Sequence, residues 1–150
     1  MEKYQWSRLN NLQVGKYSEY FVKMELTLHG FDVYQSEIDD KGIDFLIRRG
    51  HDTYYDIQVK SVRGFNYIFF RKDYFQLRSN LFAAVVVLDE QQPPKLFFIP
   101  STVWQKPNAL FVSRDYQPPA KSKPEWGINL SARNHLLLEP YTFEKVVETL

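Results

Sequence analysis

Two neighbouring segments of the sequence carry residue types that can do phosphodiester chemistry. Asp44 begins an apolar run that predicts a strand, and Gln58 and Lys60 lie two residues apart in the strand predicted next. Because side chains alternate across a strand, Gln58 and Lys60 must project from the same face. Carboxylate and amide oxygens can bind a hard divalent cation, and an amine can orient or activate the attacking water. The arrangement predicts a metal-dependent site that hydrolyses phosphodiester bonds.

A helix predicted over residues 15–29, with Gly30 as its left-handed end, supplies a further acid. Glu19 lies early in this helix, and we expect it to point toward the same end of the sheet. Each residue taken alone has a plainer interpretation. Glu19 precedes Lys23 by four residues, the favourable order for a surface ion pair, and Lys60 fits a surface lysine on an edge strand. The prediction therefore depends on their joint order and spacing.

From about residue 14 to residue 75 the sequence resembles the PD-(D/E)XK nuclease superfamily, which includes restriction endonucleases and Holliday junction resolvases. In that pattern a helix carries a Glu, a strand carries the Asp, and the following strand carries (D/E)-x-K. The resemblance implies that Glu19 is the helix acid, Asp44 the metal-bridging acid and Lys60 the catalytic lysine. It also implies that Gln58 and the backbone carbonyl of Val59 complete the coordination of Mg²⁺, for which Mn²⁺ is a possible substitute.

Gln58 departs from this pattern, because glutamine is neutral where the family carries a carboxylate. A bound cation would meet one negative charge fewer, so its affinity or the activity should fall unless the site compensates. Asp56 offers a spare carboxylate on the same face of the strand, about 6.6 Å from Gln58. The residue before Asp44 is Ile43 instead of the family's proline, which does no chemistry.

Three classes of function stay open at this stage. The first is a metal-dependent DNA endonuclease of the restriction, homing or resolvase type. The second is a nuclease fold that has lost catalysis and serves as a DNA-binding or assembly module, which the amide of Gln58 favours. The third is an interaction protein whose aromatic residues serve oligomerisation.

The composition fits one domain with one core. The chain has 150 residues, of which 44% are hydrophobic and 17% aromatic, and this aromatic excess favours a homo-oligomer, a dimer or larger. The absence of cysteine excludes disulfides, thiolate zinc sites and a cysteine nucleophile. There is no uninterrupted apolar run of membrane-spanning length and no apolar signal core at the start. We therefore expect a soluble, intracellular (cytoplasmic) protein without a membrane partner.

The charge is distributed unevenly. The net charge of +1 argues against broad, sequence-independent coating of DNA. The stretch from Lys60 to Arg78, however, holds five cationic residues against one acid, with aromatic residues interleaved. Such a stretch can follow a phosphate backbone beside the metal. The cations that we predict to bind DNA are Arg63, Arg71, Lys72 and Arg78.

The order of predicted elements, together with the family resemblance, indicates an α/β fold, a restriction endonuclease-like mixed β-sheet flanked by helices. We expect one domain over residues 1–150, with a core over about 14–100 and a C-terminal elaboration over about 101–150. The polar run 37–41 is predicted to be a turn. After the helix 15–29, the predicted strands span 31–36, 42–49, 54–63, 66–70, 81–88, 95–99 and 126–130, and the further helices span 72–79, 100–104 and 142–150.

Overall fold

A five-stranded mixed sheet and a three-stranded antiparallel sheet organise the computed structural model, which describes residues 2–38 and 42–150. The strands are β1 (Asp32–Tyr34), β2 (Phe45–Arg49), β3 (Thr53–Arg63), β4 (Tyr67–Arg71), β5 (Leu81–Leu88), β6 (Lys95–Pro100), β7 (Phe111–Arg114) and β8 (Glu125–Asn129). The α-helices are α1 (Asn11–Leu28) and α2 (Phe143–Val147), and 3₁₀ turns span Trp6–Arg8, Ser101–Gln105 and His135–Tyr141. The main sheet has the order β1-β2-β3-β5-β6, and the second sheet has the order β4-β8-β7.

Helix α1 begins earlier than predicted because a capping box fixes its start. The side chain of Asn10 accepts a hydrogen bond from the Gln13 N–H, and the Gln13 side chain accepts one from the Asn10 N–H, both at 2.9 Å. The helix ends before Gly30, whose φ of +87° suits glycine. One face is buried on the sheet at helical spacing. Its buried residues are Val14, Ser18, Val22 and Leu26.

The main sheet forms largely as the sequence predicts. Strands β2 and β3 make an antiparallel hairpin, and Gly50 takes a φ of +68° in the turn between them. Strand β3 then pairs in parallel with β5, and β5 pairs antiparallel with β6. All eight residues of β5 are buried, which confirms the prediction of a strand covered on both faces.

The two faces of the main sheet carry separate cores. Helices α1 and α2 cover one face, where Phe45, Ile57, Phe82 and Phe98 are buried. The second sheet covers much of the other face, where Val62, Phe70, Val85, Ile99 and Trp104 are buried. A side chain on β3 therefore points either to the helices or to the second sheet, depending on whether its position is odd or even.

The helix predicted over residues 72–79 is wrong, since this segment forms a turn and irregular chain. Its apolar residues Phe75 and Leu77 stand two positions apart, which makes no helical stripe, and both pack into the core under the second sheet. The second sheet itself was not predicted, because β4 pairs with β8 far along the chain. Of the polar run predicted to be a turn, residues 39–41 lie outside the described residues.

Candidate metal-dependent nuclease site

Asp44 lies at the point where β2 and β3 part. The ladder between these strands ends with Phe45 opposite Ile57, and the Asp44 N–H donates to the Ile57 carbonyl at 3.0 Å. Asp44 Oδ2 accepts a hydrogen bond from the Val59 N–H at 2.6 Å. The carboxylate thus replaces the backbone carbonyl that a continuing strand would offer. Beyond Asp44, the described part of β3 pairs with β5 alone, so no strand lies along its other edge, and we call this unpaired edge beside Asp44 the notch.

The backbone carbonyl of Val59 points into this notch. An extended residue directs its N–H and its C=O to the same neighbouring strand. Because the Val59 N–H meets Asp44, the Val59 carbonyl faces the same side. This direction fits the carbonyl ligand that the sequence predicts.

Gln58 projects from the same face of the sheet as Asp44, because the hairpin register, continued by one residue, sets the two opposite each other. Gln58 Oε1 is buried and makes no hydrogen bond with any described residue. Leaving a buried amide oxygen without a partner costs about 1–3 kcal/mol, and a bound cation would satisfy it. The residues present therefore fit a hard divalent cation held by carboxylate, amide and backbone oxygens.

The donor set is less acidic than a cluster of carboxylates. Within residues 2–38 and 42–150, no group of three or more His, Cys, Asp or Glu side chains is placed to hold a metal ion. Asp44 supplies the negative charge at the notch, and Gln58 and Val59 contribute neutral oxygens. A cation bound there would depend strongly on the charge of Asp44.

Lys60 shares the face of Gln58 and is packed against the second sheet. Its Nζ lies 5.9 Å from the ring centre of Phe69 and 5.7 Å from that of Phe70. Burial lowers the pKa of Lys60, and the negative charge of Asp44 partly opposes this change. An amine with a lowered pKa beside a carboxylate can position or activate a water molecule.

Substitution Lys60→Met should stabilise the fold at neutral pH. Because the pKa of Lys60 is lowered, the folded protein binds this proton more weakly than the unfolded chain does. The charge therefore destabilises the fold below the lowered pKa, and this cost disappears as the pH rises toward the usual value of 10.5. We expect a gain on the order of 1 kcal/mol in the free energy of unfolding at pH 7.

Urea denaturation of both proteins at pH 7 and pH 10 measures this effect. The control is Lys95→Met, since Lys95 is 61% exposed and its pair with Asp89 should contribute little. A Lys60→Met protein less stable than wild type at pH 7, or a gain that grows with pH, contradicts the interpretation.

Glu19 lies in the layer of α1. Its Oε1 pairs with Lys23 Nζ at 3.1 Å, and that Nζ lies 5.3 Å from the ring centre of Phe45, the residue after Asp44. Since the Phe45 ring belongs to the helix-covered face, Glu19 is near the start of β2 but on the other side of the sheet from Lys60. The structure thus brings Asp44, Gln58, Val59 and Lys60 together. Glu19 lies on the opposite side of the sheet, where it forms an ion pair with Lys23. The role of Glu19 at the metal stays a prediction.

Arg63 is tied into the structure at the end of β3. Its guanidinium donates to the carbonyls of Trp6 and Leu9, at 3.0 and 2.8 Å, and to the side chain of Asn11 at 2.7 Å. These bonds hold the segment that leads into α1. If Arg63 bound DNA, its guanidinium would have to contact a phosphate while it keeps these hydrogen bonds.

The other three predicted DNA-binding cations each meet an acid, and their DNA contacts stay predictions. The pairs are Arg71 with Asp73, Lys72 with Asp115 at 2.9 Å, and Arg78 with Asp56 at 2.6 Å. Asp56 is therefore engaged by Arg78, and it does not act as a spare carboxylate without a partner. Each cation keeps donors that could turn to a phosphate.

A cleft of about 730 Å³ flanks the position of Asp44, between Ile43 and Phe45 on one wall and Tyr74 and Gln76 on the other. The Asp56–Arg78 pair also lines it. Sequence reasoning did not find this cleft, because its walls come from segments whose contact depends on the whole fold.

The fold is the mixed α/β arrangement predicted, with a five-stranded sheet flanked by helices. Among solved structures, the chain is similar to Hjc, a Holliday junction resolvase from the archaeal hyperthermophile Archaeoglobus fulgidus, with a TM-score of 0.55 and 16% identity over 89% of this chain and 95% of that one. This likeness confirms the predicted fold. No protein-family model matches the chain, and no curated protein matches it in sequence. None of the helices in the described ranges is long and apolar enough to cross a membrane.

Proposed function

We propose that this protein is a Mg²⁺-dependent DNA endonuclease, of restriction, homing or resolvase-like type, in which Mn²⁺ can replace Mg²⁺. The observation that carries the proposal is the buried, unpartnered Oε1 of Gln58, set opposite Asp44 at the parting of two strands. The fold shared with a Holliday junction resolvase supports DNA as the substrate.

Each residue of the site would have a separate role in the proposed reaction. Mg²⁺, when bound, supplies a Lewis acid that polarises the phosphodiester. Asp44 would bridge the cation and the scissile phosphate, and its bond from the Val59 N–H fixes the direction of the carboxylate. Gln58 and the Val59 carbonyl would complete the ligands. Lys60 would position the attacking water, and Glu19 would hold a second ion or a water molecule from the helix side.

We also propose that the protein forms homo-oligomers and acts inside the cell, where DNA is found. The aromatic content of 17%, high for the core of one small domain, supports an interface between copies.

The second candidate function is a catalytically inactive nuclease fold that binds DNA or assembles with other chains. The neutral Gln58 and the lack of a carboxylate cluster among the described residues favour it. Such a module would keep the fold and the DNA contacts while binding metal weakly.

One experiment separates the two candidates. The whole chain is incubated with plasmid, nicked, branched and single-stranded DNA in Mg²⁺, in Mn²⁺ and in EDTA. An endonuclease cuts at least one of these DNAs in a divalent metal and none in EDTA. A binding module shifts the mobility of DNA in EDTA and cuts nothing. A protein that neither binds nor cuts DNA contradicts the endonuclease and leaves only the assembly role of the second candidate.

A further inference from the structure

Strand β4 presents two aromatic rings on the outer face of the second sheet. Its residues alternate, so that Ile68 and Phe70 are buried in the core while Tyr67 and Phe69 lie on the other side. The rings of Tyr67 and Phe69 are stacked, with centres 6.2 Å apart and planes 20° apart. Phe69 is 47% exposed. We call these two rings the aromatic shelf.

The shelf is held rigidly from below. The Tyr67 hydroxyl donates to the carboxylate of Glu125, which is only 6% exposed and also accepts from the Tyr116 hydroxyl at 3.2 Å. Burial, followed by the Glu125 carboxylate, raises the pKa of Tyr67, so its hydroxyl keeps the proton that it donates. At Gly127, a Cβ would lie 2.1 Å from the Tyr67 hydroxyl oxygen, so the absence of a side chain there makes room for the ring.

Burying an acid to fix a partly exposed ring is costly, and core packing does not require it, because neither ring of the shelf belongs to the core. This free-energy cost is explained if a ligand that binds on the ring requires the ring to be fixed in position.

A cation stands at each end of the shelf. Lys60 Nζ lies 5.9 Å from the Phe69 ring centre, and Arg114 Cζ lies 4.1 Å from that of Tyr67. Arg114 is exposed and forms no ion pair with an acid in the described part of the chain. Two rings between two positive groups complement a nucleotide, whose flat base stacks on aromatic rings and whose flanking phosphates are negative.

We propose that the aromatic shelf stacks an unpaired nucleobase of the DNA strand beside the scissile phosphate. The inference rests on the proposed function in placing that phosphate at Lys60 and Asp44. A base inside an uninterrupted duplex is covered on both faces by its neighbours and cannot lie on Phe69. The preferred substrate is therefore DNA with an unpaired or splayed base at the site, as at a branch, a bulge or a junction between single and double strands.

Binding in EDTA tests the shelf without requiring cleavage. Two DNAs of the same length are compared, one fully paired and one with a single unpaired 2-aminopurine, whose fluorescence falls when it stacks. The wild-type chain should bind the second DNA more tightly and quench it. Phe69→Ala should lose roughly 5-fold to 100-fold in affinity for that DNA alone, together with the quenching. Phe69→Trp should restore both, because tryptophan keeps a stacking surface.

The matched control is Phe65→Ala. Phe65 is 51% exposed and stacks on His135 with ring centres 5.1 Å apart, so it resembles Phe69 in type and exposure, whereas the rings near Lys60 Nζ are those of Phe69 and Phe70. We expect this variant to bind both DNAs as wild type does.

Equal losses on both DNAs in Phe69→Ala, or no loss on either, would overturn the inference. Failure of the proposed function gives a different result. A chain that cuts no DNA in any metal but still shows the Phe69-dependent quenching supports the aromatic shelf and contradicts the nuclease activity.

Discussion

We expect Asp44→Ala to eliminate the proposed Mg²⁺-dependent DNA cleavage, with a loss of roughly a thousandfold or more. Asp44 is the residue that brings a full negative charge to the notch beside Gln58 and Val59. Asp44→Asn refines the result, because an amide oxygen can still accept the Val59 N–H while the charge is gone. We expect Asn to lose cleavage almost as fully as Ala and to unfold at a temperature closer to that of wild type. Cleavage rates in Mg²⁺ and thermal unfolding in EDTA are the two measurements.

Two other aspartates serve as controls for Asp44. Asp32 is 62% exposed and pairs with Arg48 on the edge strand, so Asp32→Asn should cut normally. Asp56 shares the strand face of Gln58 but is held by Arg78 at 2.6 Å, and Asp56→Asn should reduce cleavage far less than Asp44→Asn does. Wild-type cleavage by Asp44→Ala would refute the assigned site. A loss of cleavage in Asp56→Asn equal to that in Asp44→Asn would indicate that Asp56 is a metal ligand.

Gln58→Glu should tighten Mg²⁺ binding by about tenfold to a hundredfold. Glutamate has the shape of glutamine, so the change adds a negative charge where a buried oxygen already lacks a partner. The added charge attracts a cation in a partly buried site more strongly than it would in water. Calorimetric titration with Mg²⁺, and with Mn²⁺ where the affinity for Mg²⁺ is low, gives the dissociation constants.

Gln58→Met is the matched variant, because it keeps the length and the neutral charge but removes the ligand oxygen. The expected order of metal affinity is Glu above Gln above Met at position 58. A metal affinity that is the same in all three proteins would show that this side chain is not a ligand. If Gln58→Glu alone cut DNA while wild type only bound it, the inactive-module candidate would describe the natural chain.

The local features of the site could be predicted from the sequence. Alternation along β3 places Gln58 and Lys60 on one face whatever the rest of the fold does, and Gly50 marks the hairpin turn. The start of α1 could also have been found, since Asn10 and Gln13 have the spacing of a capping box. These features depend on residues within a few positions of one another.

Features that depend on distant contacts could not be predicted in this way. The helical position of Glu19 follows from the sequence, but which side of the sheet its carboxylate reaches depends on how α1 packs. The rings that bury Lys60 come from β4, which is placed by its pairing with β8. The carbonyls that bind Arg63 lie more than fifty residues earlier in the chain.

The codons of glutamine and glutamate differ by one base. The buried amide at position 58 therefore stands a single point mutation from a carboxylate of the same shape, which a bound cation would neutralise. If position 58 holds a cation as proposed, the strength of metal binding can thus rise or fall in one heritable step while the architecture stays the same.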